Sequence, residues 1–227
     1  MHALLSGGPH VVTLSRLDRD AIAARMRQIL GVSDEDGHQE RSFGVLQRLE
    51  QALQRADELP APKAVFVSLP VVRSPDGALV APVLLRDVGN ALLLERLAGS
   101  RRVTLYVVTL GSAWDACLAA LCDADEAAAA WFLDQVGTLW VDEASRSLES
   151  RVEADMAREG LSRTRRVRAG YRGHPSLEAQ KGFCDLAGAG RIGVEVLPSG
   201  VMTPSKTISG ILGWEAVGSK NSVAAER

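Results

Sequence analysis

Five arginines crowd one short stretch of the chain, Arg163, Arg165, Arg166, Arg168 and Arg172. They surround Gly170-Tyr171, a turn signal, and a later Gly/Pro/Ser-rich stretch carries Met202 and Lys206. Guanidinium groups grip carboxylates and phosphates through two parallel N–H bonds, which lysine does less well. The pattern therefore points to a concave site for an anionic or zwitterionic small molecule. Two readings of the arginines stand side by side. They are either a solvated strand face, or one or two of them turn inward as an anion clamp. If the segment is extended, Thr164, Arg166 and Arg168 share one face while Arg165 and Val167 share the other.

Other chemical motifs fare less well. Gly188-Ala-Gly-Arg-Ile-Gly193 fits a dinucleotide fingerprint in spacing, but that chemistry needs a strand before it and a helix after it. Here a helix precedes and a strand follows, so the glycines read as a helix stop and turn. Asp36-Gly-His38 begins like a cobalt-ligating histidine signature, but Arg41 stands where a glycine is required. The four histidines, His2, His10, His38 and His174, are scattered singly, which argues against a metal site built by the protein. No serine lies in a Gly-x-Ser-x-Gly elbow, and no general-base constellation is evident.

The composition limits the remaining stories. At 227 residues, 46% hydrophobic and 24% charged, the chain is long enough to bury a full core. A net charge of −2 lacks the footprint of a nucleic-acid binder. Cys117, Cys122 and Cys184 are odd in number and without CxxC spacing, as expected in a reducing cytoplasm. No segment approaches the length of a membrane span, and no leader is evident at the N-terminus.

The elements that must position the arginines follow from periodicity and punctuation. Ser15 and Asp18 offer caps to a first helix carrying Ile22, Met26, Ile29 and Leu30 and ended by Gly31. A second helix carries Phe43, Leu46, Leu49 and Leu53 and stops before Pro60. Residues 64–72 and 78–85 read as a hairpin about Ser74-Pro-Asp-Gly77, and Asp87 caps a helix through Leu97. The clearest strand spans Arg102 to Leu110, on which the core sheet is expected to pivot. A helix to about Cys122 follows, then a long one within Asp125 to Gly160, where Gly137 allows close packing or a bend. The last part alternates: extended at Thr164 to Arg168, helical near Leu177 to Leu186, extended near Ile192 to Leu197, and apolar from Thr207 to Trp214. The expected organisation is one domain over 1–214 and a flexible tail over 215–227.

Arg166-Val-Arg-Ala-Gly-Tyr171, with Pro175 and Gln180 behind it, resembles the Arg-x-x-Pro-Gly-Tyr segment of the activation (reactivation) domain of cobalamin-dependent methionine synthase. Arg191-Ile-Gly-Val and Met202-x-Pro204-x-Lys206-x-x-Ser209 are similar to that family's final hairpin, especially in its stand-alone relatives. Val108-Thr-Leu-Gly111, the long helix with Gly137, and Asp142-Glu143 fall in the family's order.

The resemblance implies a curved, mostly antiparallel α+β fold flanked by helices, and S-adenosylmethionine as the ligand. Arg166 matches the arginine that holds the methionine carboxylate, and Tyr171 the tyrosine packed at the ligand, with the Gly170 turn beside it. Asp142 takes the place of a glutamate facing the ammonium or sulfonium side. Arg168 stands where the family keeps a small residue beside the ligand, and Lys206 lies on the facing hairpin. In that family the domain presents S-adenosylmethionine to an oxidised cobalamin while a flavodoxin-type donor supplies an electron. This chain shows no cobalamin or flavin motif of its own. The resemblance thus implies an accessory protein acting on a corrinoid protein or core methionine synthase, not an independent catalyst. The alternative is an adaptor or chaperone of a corrinoid protein that does not bind S-adenosylmethionine.

Overall fold

The structure, a computed structural model, describes residues 8–16, 18–32, 40–75, 79–81, 97–164, 166–170 and 177–218. Expectations for Tyr171, for the helix from Asp87 and for strand residues 82–85 lie outside these residues. The architecture is mixed α+β, built on a five-stranded antiparallel sheet. Its strands are β1 (His10–Thr13), β2 (Lys63–Pro70), β5 (Arg102–Thr109), β9 (Thr207–Ala216) and β6 (Leu161–Arg163), side by side in that order.

The strand expected at Arg102 is the sheet's middle member, and its sequence explains why. Val103, Leu105 and Val107 point to one face, Thr104, Tyr106 and Val108 to the other, and both sets are buried. A strand covered on both sides reads as a near-continuous apolar run. In register, Tyr106 lies between Phe66 of β2 and Gly210 of β9.

Among the described residues, four helices cover the Tyr106 face: α1 (Arg19–Leu30), α2 (Glu40–Glu58), α3 (Ser112–Asp123) and α4 (Ala127–Ala157). The Asp18 carboxylate accepts from the Ala21 amide at the start of α1, and Gly31 closes it in the left-handed conformation at φ 65°. The expected apolar stripes on α1 and α2 are only partly used. Ile22, Met26, Leu49 and Leu53 are buried, whereas Ile29 and Phe43 are exposed. At 31 residues, α4 is about 46 Å long and crosses the whole layer. The opposite face packs against α5 (Gln180–Ala187) and the 3₁₀ turn Ala189–Ile192, through Phe183, Cys184, Ala187 and Ile192. Gly188 stops α5 at φ 81°, so the Gly-x-Gly-x-x-Gly spacing is a helix stop and turn.

Several boundaries differ from expectation. His10–Thr13, not assigned to any element by periodicity, pairs with β2 as an edge strand. β2 belongs to the main sheet, and the expected hairpin is a separate ribbon, β3 (Val72–Arg73) with β4 (Leu79–Ala81). The strand expected over Thr164 to Arg168 is shorter: β6 ends at Arg163, and beyond it, among the described residues, Thr164 donates its amide to Gly213 and Val167 bridges to Ile211. The strand expected from Ile192 is just β7 (Glu195–Val196), paired with β8 (Met202–Thr203). β9 continues to Ala216, past the expected start of the tail, and Glu215 is fully buried. Among the described residues no helix is long and apolar enough to cross a membrane.

Gly137 permits close packing, not a bend. A Cβ there would stand 2.6 Å from the Trp114 indole, itself fully buried and edge-on to Trp140. Gly137→Ala gains about 1 kcal/mol of helix propensity, but overpacking against a rigid ring costs about 1–3 kcal/mol. The variant is expected to unfold at lower urea, measured by circular dichroism; an equal or higher midpoint would show that the Trp114 packing does not need this glycine.

Candidate functional site

The site grows from one carboxylate on α4. Glu149 is only 4% exposed and sits on the helix's inward stripe with Ser145, Leu148, Val152 and Met156. Burying a carboxylate without partners is prohibitive, so its partners define the geometry. The Tyr106 hydroxyl donates a short hydrogen bond to Oε1, and the Ser145 hydroxyl lies 3.4 Å from the same atom. Arg166 donates from Nη1 to Oε1 at 2.7 Å, and Arg163 approaches Oε2 at 3.4 Å. Gly210 makes this possible from the other side, since a Cβ there would run into the Tyr106 phenol.

Burial, then the charge of Glu149, pushes the Tyr106 phenol up from 10.0 to about 12. For Arg166, burial alone would lower the guanidinium. The hydrogen bond and charge of Glu149 outweigh that, and hold it above its ordinary value. Arg166 is therefore a fixed cation with one nitrogen engaged inside the protein.

The expected alternation around Val167 holds even without a regular strand. Val167 is buried in the core on the α5 side, while Arg166 and Arg168 both turn to α4. Arg168 Nη2 lies 3.5 Å from Asp142, whose carboxylate also meets Arg146 at 2.8 Å and Arg25 at 4.0 Å. Arg163 further reaches Glu153 at 3.3 Å. Among the described residues, these pairs bring five guanidinium groups to three carboxylates.

Of the expected site residues, Arg168 meets Asp142 while Arg166 meets Glu149, about 10 Å further along α4, and Gly170 ends the segment in a turn at φ 79°. Lys206 stands apart. Its ammonium is 2.7 Å from Asp134 and 2.9 Å from the Thr138 hydroxyl. Asp134 precedes Asp142 by two helical turns, about 12 Å at 1.5 Å per residue. Ser205 ties the same loop to α3 by donating its amide and hydroxyl to Asp115 at 2.8 and 2.6 Å.

A cavity of about 250 Å³ opens where β6 has ended and β9 has no neighbour beyond it among the described residues. Arg168 and Ala169 form one wall, Leu177 and Gln180 another, and Gly200 to Met202 with Thr207 to Ser209 complete it. The Gln180 amide is locked at its floor, donating to Ser209 Oγ at 2.6 Å with Met202 Sδ at 3.2 Å. Burial raises the neighbouring Cys184 thiol to about 11.

Sequence reasoning missed Glu149, Tyr106 and Ser145. The signal was there: Ser145, Glu149, Val152 and Met156 recur at helical spacing, placing an acid on an otherwise apolar stripe. A buried carboxylate on such a stripe demands cationic partners, and the nearby arginines supply them.

No protein-family model matches the chain, and no curated protein matches it. Among solved structures, it is similar to a crystal structure of the MetH reactivation domain bound to AdoHcy. The match covers 91% of this chain and 78% of that one, at a TM-score of 0.63 and 15% identity. The fold is therefore activation-domain-like.

The Tyr106 network has a pH signature. A group whose folded value is raised stabilises the fold fully below its unfolded value and loses that contribution as pH rises through the folded one. Stability is therefore expected to fall between pH 10 and about 12 as Tyr106 resists ionisation. Urea unfolding across that window is expected to show the loss, and Tyr106→Phe to remove about 2–3 kcal/mol of the dependence. An identical alkaline profile in both proteins would contradict the buried Tyr106–Glu149 bond.

Proposed function

We propose that this protein holds S-adenosylmethionine in the cavity beside the Arg166–Gly170 segment and presents it for reductive methylation of a cobalamin carried by a separate protein. The observation that carries this reading is Arg168 in the cavity wall, with Arg166 two residues earlier on the same segment, in a fold shared with a domain that binds AdoHcy. The zwitterionic amino-acid tail of S-adenosylmethionine suits the donor set. Its carboxylate is matched by guanidinium groups in excess over carboxylates, and its purine and ribose by a cavity of mixed apolar and hydroxyl lining.

When bound, the sulfonium supplies the methyl group. The chain's own residues bind and orient, which is why the site needs no general acid or base. Arg166 anchors the tail, Arg168 and Asp142 shape the wall beside it, and the Gly170 turn brings the backbone close. Lys206, tied to α4, fixes the loop that closes the far side. The expected partners are a corrinoid protein or core methionine synthase and a flavodoxin-type electron donor, in the cytoplasm.

One observation favours a second reading, an adaptor that clasps a corrinoid protein without S-adenosylmethionine. Arg166, Asp142 and Lys206 each already have an ion-pair partner inside the chain. Titration calorimetry separates the two. The first reading expects S-adenosylmethionine to bind, with Arg166→Ala weakening it by about tenfold or more, the worth of one charge-assisted contact. No binding at millimolar ligand, with retention of a cobalamin-loaded partner that is insensitive to the ligand, would give the adaptor reading its place.

A further inference from the structure

Resting on that reading, we propose that Glu149 is the positioning residue for Arg166, setting the guanidinium so that its free N–H groups meet the ligand's carboxylate. A guanidinium carries five donors in a rigid fork. Engaging Nη1 on Glu149 at 2.7 Å fixes the plane and leaves the rest of the fork on a side chain that is still 28% exposed. The backbone anchors its neighbours but not the guanidinium: Thr164 donates to Gly213, and Val167 exchanges two bonds with Ile211. The carboxylate, in contrast, is held from three directions. Tyr106 approaches from the middle strand, Ser145 from one turn earlier on α4, and Arg163 from the end of β6. Tyr106 is itself held against Gly210, so the chain of contact runs from the sheet's centre to the site. A flexible arginine would lose rotamer freedom on gripping a carboxylate; an arginine already fixed has less to lose.

The role predicts a selectivity that mere structural support would not produce. S-adenosylhomocysteine carries the amino-acid carboxylate, and methylthioadenosine lacks it. By calorimetry, Glu149→Leu is expected to weaken S-adenosylhomocysteine by about tenfold or more and to leave methylthioadenosine within about twofold. Glu149→Gln keeps an oxygen that can accept from Arg166, and is expected to recover most of the affinity. Should Glu149→Leu not fold, Glu149→Asp withdraws the carboxylate by one methylene and is expected to show the same selective loss. Equal weakening of both ligands, or no change in either, overturns the assignment. In ligand-free protein, the Arg166 Nη1–H bonded to Glu149 is expected to exchange slowly with solvent and to become fast in the Leu or Asp variant. Wild type that binds neither ligand ends the S-adenosylmethionine reading, whereas fast exchange in wild type ends the claim that Glu149 fixes the guanidinium.

Discussion

The rest of the structure depends on the burial of one carboxylate. Placing Glu149 under the sheet carries a desolvation penalty of several kcal/mol unless charged and hydrogen-bonded partners surround it. The fold supplies those partners from β5 through Tyr106, from one turn earlier on the same helix through Ser145, and from the segment after β6 through Arg166. A buried pair of this kind is weak evidence for stability by itself, because an apolar replacement is often as stable. What it fixes is geometry. The 166–170 segment, which lacks a ladder of backbone bonds, is held against α4 by side-chain charge.

That anchor explains several features that otherwise look unrelated. Gly210 interrupts a β9 strand of largely buried residues because the Tyr106 phenol lies across it. Gly213 likewise leaves room for Thr164, whose hydroxyl accepts from the Gly213 amide at 3.1 Å and starts the segment toward the site. With β6 only three residues long, the edge of β9 away from β5 has no strand beside Thr207 to Ser209 among the described residues, and the cavity occupies that flank. The same loop geometry delivers Lys206 to α4 through its ion pair with Asp134, and Ser205 to α3 through hydrogen bonds to Asp115.

Much of the fold was legible in the sequence where local chemistry decides local structure. Asp18 and Gly31 bound α1 as caps do, and the apolar run at Arg102 became the central strand because both of its faces are covered. The stretch from 161 to 170 was harder. Its strand is short, and the remainder is placed by Thr164, Val167 and the arginines through contacts with β9 and α4. β1 escaped notice because four residues on an edge carry little periodic signal. At the site, the alternation of Arg166 and Arg168 about Val167 could be read from spacing. The ring of arginines around Asp142 could not, since Arg25 comes from a helix more than a hundred residues away. Glu149 was hidden by the ordinary expectation that a helical carboxylate is solvated.

The central claim is that the cavity on the open flank of β9 is where S-adenosylmethionine binds. Backbone amide shifts recorded by NMR while the ligand is added test this most directly. Saturable shifts are predicted at Arg168, Ala169, Gln180, Gly200 to Met202 and Ser205 to Ser209 around the cavity, extending to the adjoining Arg166. Shifts gathered instead at Lys63, Gly111 and Arg191, which line a separate cavity, or no shifts at all, would contradict it.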